Sequence, residues 1–160
     1  MKQIIFHIDV NSAFLSWTAV EQLKQGAGVD LRTVPAIIGG NQESRHGIVL
    51  AKSESAKKYG IVTGEPVANA LRKCPNLLMA PPDHRMYQAY SRELMAFLSD
   101  YTPDIEQVSV DECYLDFTGI AHRFPSPLAA AYEIKDAVFQ KFGFTVNVGI
   151  STNHLLAKMA

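Results

Sequence analysis

Cysteine is nearly missing from this chain: two in 160 residues, Cys74 and Cys113, far apart in the sequence. That excludes a disulfide framework and any paired-cysteine zinc spacing, and leaves two reduced, half-buried thiols as the expectation. No apolar run approaches the roughly 20 residues of a membrane span. The opening stretch Ile4-Ile5-Phe6-His7-Ile8-Asp9 is too short, and too soon broken by charge, for a signal peptide. A cytoplasmic protein without a membrane partner is expected. Neither charge dominates, with 15 Lys and Arg against 16 Asp and Glu, and no repeat or low-complexity segment occurs. With 48% hydrophobic and 19% charged residues, disordered, collagen-like and coiled-coil classes are excluded. The length suits one domain, or one domain carrying a modest insertion.

The balanced total hides an uneven distribution. Residues 31–75 carry 7 basic and 3 acidic side chains, whereas 76–160 carry 6 and 10. A basic segment beside an acidic one suits a phosphate-facing lobe joined to a carboxylate lobe that holds metal; a solvated face is the commoner origin of such an imbalance.

Periodicity and breakers give the elements. Residues 3–9 read as a buried strand, and Asn11 can N-cap a helix running to about Gln25, ended by Gly26. Short strands are expected at 33–38 and 47–51, separated by the turn-like Gly39-Gly40-Asn41-Gln42-Glu43-Ser44. Short helices at 53–59 and 66–73 follow, then an apolar run at 77–80 among prolines. Tyr87, Tyr90, Leu94, Phe97 and Tyr101 recur at helical spacing before Pro103, which predicts a helix over 84–100. Strands are expected at 105–110 and 113–117 with Asp111-Glu112 between them. Ser126-Pro127 opens a helix with Leu128, Ala131, Ile134, Val138 and Phe142 on one face, closed by Gly143. A strand at 144–150 and a helix from Asn153 end the chain, the last without a stop signal, as in a piece of something longer.

With 11–80 set aside, the order strand, helix, strand, strand, helix, strand is the split βαβ, ferredoxin-like arrangement. The fold class is α+β, with a small α/β insertion after the first strand. In that topology the first and third strands are antiparallel neighbours, so Asp9 is expected beside Asp111 and Glu112. Three ionised carboxylates together repel one another unless protons or cations compensate. Hard divalent cations with oxygen ligands are the usual solution, and two of them can drive an in-line displacement at phosphorus. The spacing alone also fits an ordinary helix-entry Asp9 and an ordinary polar hairpin. Beyond Asp9 the chain turns into a helix at Asn11-Ser12-Ala13-Phe14, offering free backbone N–H groups at 12–14 to a triphosphate. Core packing is the common fate of an aromatic at Phe14. Lys158, Lys57 and their neighbours are workable phosphate partners, although each taken singly fits a solvated surface charge.

Four ordered motifs carry a resemblance: Phe6-His7-Ile8-Asp9-Val10-Asn11-Ser12; Gly47 to Lys52 with Ala56-Lys57-Lys58-Tyr59-Gly60-Ile61; Val108-Ser109-Val110-Asp111-Glu112-Cys113-Tyr114-Leu115-Asp116; and Val148-Gly149-Ile150-Ser151 with Leu156-Ala157-Lys158. The chain resembles, over essentially its whole length, the Y-family translesion DNA polymerases of the ImpB/MucB/SamB, UmuC- or DinB-like group. The resemblance implies that 1–10 and 78–160 form most of a palm and 11–77 the fingers. On the same resemblance, the thumb and the little finger are expected to be absent from this chain. It implies template-directed nucleotidyl transfer from a dNTP to a primer 3′-hydroxyl across damaged template, with two Mg²⁺ that Mn²⁺ can replace, on primer-template DNA. A sliding clamp would be met through the absent C-terminal region, and the fragment alone is expected to be weak or inactive.

Residue by residue, Asp9 and Asp111 would bind both metals, with the Val10 carbonyl as a further ligand and Glu112 on the metal that activates the primer. Asn11, Ser12, Ala13, Phe14, Lys57 and Lys158 would bind the nucleotide. Phe14 matches the steric gate against a ribose 2′-hydroxyl, and Gly64 falls near the nascent base pair. Many members carry Tyr-x-x-Arg where this chain has Glu54-x-x-Lys57, which keeps a positive charge but not the bidentate fork. Ile48 and Leu50 are also bulkier than the residues often found over the templating base. A catalytically impaired homologue acting as an interaction or regulatory protein is the alternative, with Glu54 as its hint. A diguanylate cyclase would need Gly-Gly before the acidic pair, where Ser109-Val110 stand. An RNA-recognition module would need an aromatic strand motif that is missing.

Overall fold

The computed structural model describes residues 2–41 and 46–159. The turn expected at Gln42-Glu43-Ser44 lies outside them. In chain order the elements are β1 (Ile5–Val10), α1 (Ala13–Lys24), β2 (Ala36–Asn41), β3 (His46–Lys52), α2 (Glu54–Lys57), α3 (Val67–Lys73), β4 (Leu78–Ala80), α4 (His84–Ser99), β5 (Ile105–Ser109), β6 (Glu112–Asp116), α5 (Pro127–Phe142), β7 (Val146–Ser151) and α6 (His154–Met159). Single 3-10 turns occur at Leu31–Thr33 and Ala121–Arg123. The chain divides into two compact units, one made of residues up to Asn11 and from Gln88 onward, the other of Ser12–Tyr87.

In the first unit the sheet order is β5-β6-β1-β7, with β1 antiparallel to both β6 and β7. This is the expected ferredoxin-like order with the first and third strands central. Strand alternation splits β1 into two sets. Phe6, Ile8 and Val10 are buried on one face, while Ile5, His7 and Asp9 lie on the other. Phe6 stacks on Phe117 with ring centroids 4.1 Å apart, and complete burial of such a ring contributes about 1.5–3 kcal/mol. Ala130, Ala131, Ile134, Val138 and Phe142 of α5 are buried, as are Tyr90, Leu94 and Leu98 of α4. Leu128, grouped with the α5 face by its spacing, is exposed; the buried stripe begins further along the helix at Ala130. Ser126 caps α5 by accepting the Ala129 N–H at 3.0 Å, and Gly143 closes it at φ 85°, the left-handed conformation glycine adopts freely.

The second unit is built on a three-stranded sheet, β3-β2-β4, antiparallel between β2 and β3 and parallel between β2 and β4. Both faces are covered, which explains the unbroken apolar run Ala36-Ile37-Ile38. Ala36 and Ile38 pack with Leu15, Ala19, Leu31 and Ala80; Ile37 packs on the other side with Val49, Ala56, Ile61, Val67 and Ala70. Gly39 and Gly40, read as turn residues, lie within β2. The register shifts at Gly39, and a Cβ there would collide with the Ile48 carbonyl oxygen, so only glycine lets the strand continue. Ser53 ties the unit together: its hydroxyl accepts the Ala36 and Ala56 N–H groups and donates to the Val34 carbonyl.

Candidate active site at the carboxylate edge

Strand register decides what stands beside Asp9. Its Cα partner on β6 is Glu112 and on β7 is Asn147, so all three side chains belong to the same face of the sheet. The sequence pattern places Glu112 in the hairpin with Asp111. It is instead the first residue of β6, because the ladder from β1 continues to the Asp9–Glu112 pair. Asp111 stays in the turn, where its carbonyl accepts the Val10 N–H at 3.0 Å and its Oδ1 accepts from the Ser109 hydroxyl at 2.9 Å.

The Asp9 carboxyl is pushed above its usual range, first by burial, with the charges of Asp111 and Glu112 adding to the rise and His7 opposing it. Burial and like charge together outweigh His7, so the ionised form is only partly compensated. Glu112 is better supplied: its Oε2 lies 2.9 Å from His7 Nε2 and 3.8 Å from Lys158 Nζ. Among the described residues, no three His, Cys, Asp or Glu side chains stand close enough to share an ion. The donor set nevertheless consists of hard oxygen ligands of excess negative charge, which suits Mg²⁺ or Mn²⁺ rather than a soft metal. His7, Asp9, Glu112, Lys135, Asn147, Val148, Gly149, Ala157 and Lys158 line a depression of about 390 Å³.

Asn11 does not cap α1. Its N–H donates to the Thr145 carbonyl, and its side chain bonds Thr145 Oγ1 at 2.8 Å and accepts from Asn147 Nδ2 at 2.6 Å. With Asn11 still tied to the start of β7, the turn into the helix falls on Ser12, at φ 45° and ψ 58°. A left-handed serine is an uncommon conformation, of the sort found where a chain is held for a purpose. Its side chain makes no capping bond, and Ser16 N–H donates to its carbonyl.

Ser12, Ala13, Phe14 and Lys57 belong to the second unit, whereas Asp9, Val10, Asn11, Asp111, Glu112 and Lys158 belong to the first. Phe14 is half-buried and stacks on Tyr87, with centroids 4.4 Å apart and planes at 14°. Lys57 and Glu54 are exposed on the short α2, where Glu54 occupies the first turn and Lys57 the last. Both placements favour the helix dipole.

Among the lining residues to which the sequence pattern gives no role are His7 and Asn147. His7 stands two positions before Asp9, so strand alternation alone puts it on the same face. Asn147 requires the β1–β7 register, which no local pattern reveals. No described helix is long and apolar enough to cross a membrane.

Fold and edge together define a class: an α+β protein whose ferredoxin-like sheet carries an acidic end on its central strands. Residues 8–160 match the impB/mucB/samB family, and the chain belongs to it. The DNA polymerase IV of Clostridium acetobutylicum is 56% identical over 160 residues, covering 100% of this chain and 40% of that protein. That of Alkaliphilus oremlandii is 40% identical, covering 100% and 39%. The Y-family DNA polymerase chimera Dbh-Dpo4(243-245)-Dbh superposes with a TM-score of 0.86 at 26% identity, covering 98% of this chain and 44% of the chimera. The insertion ternary complex of Dbh DNA polymerase gives 0.83 at 26% identity over the same shares. The chain spans about two fifths of the length of the curated relatives it matches.

Proposed function

We propose that this chain is the palm and fingers portion of a translesion DNA polymerase, which transfers a nucleotide from a dNTP to a primer 3′-hydroxyl on primer-template DNA. The observation that carries the reading is the direct pairing of Asp9 with Glu112 at the end of the central strands, with Asp111 in the adjoining turn. Asp9, Asp111 and the Val10 carbonyl would hold two Mg²⁺, and Glu112 one of them. Bound there, the ions would activate the primer hydroxyl and stabilise the leaving diphosphate oxygen. Lys158, beside Glu112, would take the triphosphate as a point charge, with Lys57 as a second cation. The free N–H groups of Ser12, Ala13 and Phe14 at the start of α1 would receive phosphate oxygens. Phe14 would exclude a ribose 2′-hydroxyl. The palm is taken as 1–10 and 78–160 and the fingers as 11–77. The compact units support this division with a later second boundary, because His84 and Tyr87 in the first turn of α4 pack their rings with Phe14.

Primer extension by the full-length protein tests the proposal. Asp9→Asn should reduce incorporation by on the order of a thousandfold or more, equivalent to about 4 kcal/mol of transition-state stabilisation, with primer-template binding retained. Incorporation at the parental rate by Asp9→Asn would defeat it. The same assay bears on the regulatory alternative: a parent protein that binds primer-template but extends nothing would favour an impaired homologue.

A further inference from the structure

Glu112 is a proposed metal ligand whose carboxylate is approached by two nitrogen-bearing side chains through the same oxygen. His7 Nε2 lies 2.9 Å from Oε2, and Lys158 Nζ lies 3.8 Å from the same atom. Among the described residues Oε1 has no hydrogen-bond partner. The two holding groups differ greatly in rigidity. The His7 side chain is 7% exposed and the Lys158 side chain 54%. His7 is also braced on its other flank: it pairs across the strands with Tyr114, and their rings are 5.0 Å apart at 54°. A buried imidazole wedged beside an aromatic ring has few rotamers, whereas an exposed lysine has many.

From this we infer that His7 is a positioning residue: its Nε2–H donates to Glu112 Oε2 and fixes the carboxylate so that Oε1 is left for a divalent cation. The inference rests on the metal reading proposed above. It adds to that reading a buried donor on the same strand as Asp9, two residues earlier and so on the same face. An outer partner of this type orients a ligand before the ion arrives, and its removal commonly weakens metal binding ten- to hundredfold. Lys158 cannot serve in its place, because a mobile ammonium at 3.8 Å neither fixes the plane of the carboxylate nor makes a hydrogen bond to it.

Mn²⁺ affinity, read by the electron paramagnetic resonance of the free ion, tests the inference with no reliance on polymerisation. His7→Met keeps the buried volume but removes the donor, and should weaken Mn²⁺ binding ten- to hundredfold. His7→Gln, whose amide nitrogen can reach Oε2, should remain close to the parent. A purely structural His7 would lower the melting temperature without this division between Met and Gln, and that result would overturn the inference. Glu112→Gln separates the two levels. If it leaves Mn²⁺ binding unchanged, the metal reading fails and the role of His7 with it; if it weakens binding while a folded His7→Met does not, the positioning role alone fails. The parent protein provides a check that no misfolded variant can spoil. Adding Mg²⁺ should shift the ¹⁵N signal of His7 Nε2, since Glu112 Oε2 becomes part of a metal-bound carboxylate, and an unmoved signal would overturn the inference.

Discussion

Asp9 in the first unit and Glu65 in the second are both drawn in from solvent, and their surroundings push them in opposite directions. Burial and neighbouring carboxylates raise Asp9 above its usual range. Glu65 is held below its usual range, first by the hydrogen bond from Lys73 at 2.8 Å and then by the Val62 N–H at 2.7 Å. One carboxylate lacks a cation and the other has one supplied by the chain. The sheets beneath them differ in the same way. The three-stranded sheet of the second unit is packed on both faces by its own side chains. The four-stranded sheet of the first unit packs Phe6, Ile8 and Val10 on one face, while on the other the buried Ile5 and His7 give way to the polar Asp9, Glu112 and Asn147 at one end of the strands. A sheet end released from packing is where charge can be left uncompensated until a ligand arrives, at some expense in stability.

The sharpest way to break that contrast is to remove a side chain from the doubly packed sheet. Ile37→Ala should destabilise by about 2–5 kcal/mol, since a fully buried side chain leaves a cavity that its neighbours cannot fill. Urea unfolding would measure it, and a loss near zero would show that the second unit tolerates a hole in its core. Phe14→Ala probes the same unit for function. As a steric gate it should raise ribonucleotide relative to deoxyribonucleotide insertion by on the order of a hundredfold in the full-length protein, the scale of rate change that about 1 Å of misplacement can cause. If Phe14 only packs on Tyr87, both insertions would fall together as the protein melts earlier, and their ratio would not move.

Titration separates the two carboxylates directly. Glu65 has a depressed folded value, so its contribution is present above the ordinary glutamate value of 4.5 and is lost as pH falls through the lower folded value. Glu65→Gln should therefore flatten the acid limb of the stability curve and remove roughly 1–3 kcal/mol at neutral pH, the worth of hydrogen bonds to a charged group. An acid limb identical to the parent's would assign acid unfolding to other groups. Asp9 runs the other way. Its folded value is raised, so stability is fully present below the ordinary aspartate value of 3.8 and declines as pH rises through the folded value. At neutral pH Asp9→Asn should leave the melting temperature equal to or slightly above the parent's, while Mn²⁺ should raise the parent's melting temperature and not the variant's. A variant that melts well below the parent would mean that Asp9 is structural.

The smallest effect concerns a cap. Ser126→Ala should destabilise by about 1 kcal/mol through the lost bond to Ala129 N–H, measurable by urea unfolding. No loss would mean that Pro127 alone is enough to start α5.

Much of this was determined by sequence alone. The apolar run expected as a buried strand at 3–9, the helical spacing from Tyr87 to Leu94, the Ser126-Pro127 start and the Gly143 stop are local signals, and each has its element in the structure. The order of those elements was enough for the ferredoxin-like sheet, and so for Asp9 beside the Asp111-Glu112 segment. What local signals could not decide is which atom meets which. Asn11 looks like a helix cap until Thr145 and Asn147 at the start of β7 claim it, and the turn then moves to a left-handed Ser12. Gly39-Gly40 look like a turn until the Ile48 carbonyl approaches one side of the strand. Glu112 looks like a hairpin residue until the ladder from β1 reaches it, and only that register brings it within 2.9 Å of His7 and opposite Asp9. Secondary structure follows from periodicities a few residues long, which the sequence carries on its face. Register, burial and the pairing of charges arise between segments about a hundred residues apart, and those contacts exist only once the strands are laid side by side.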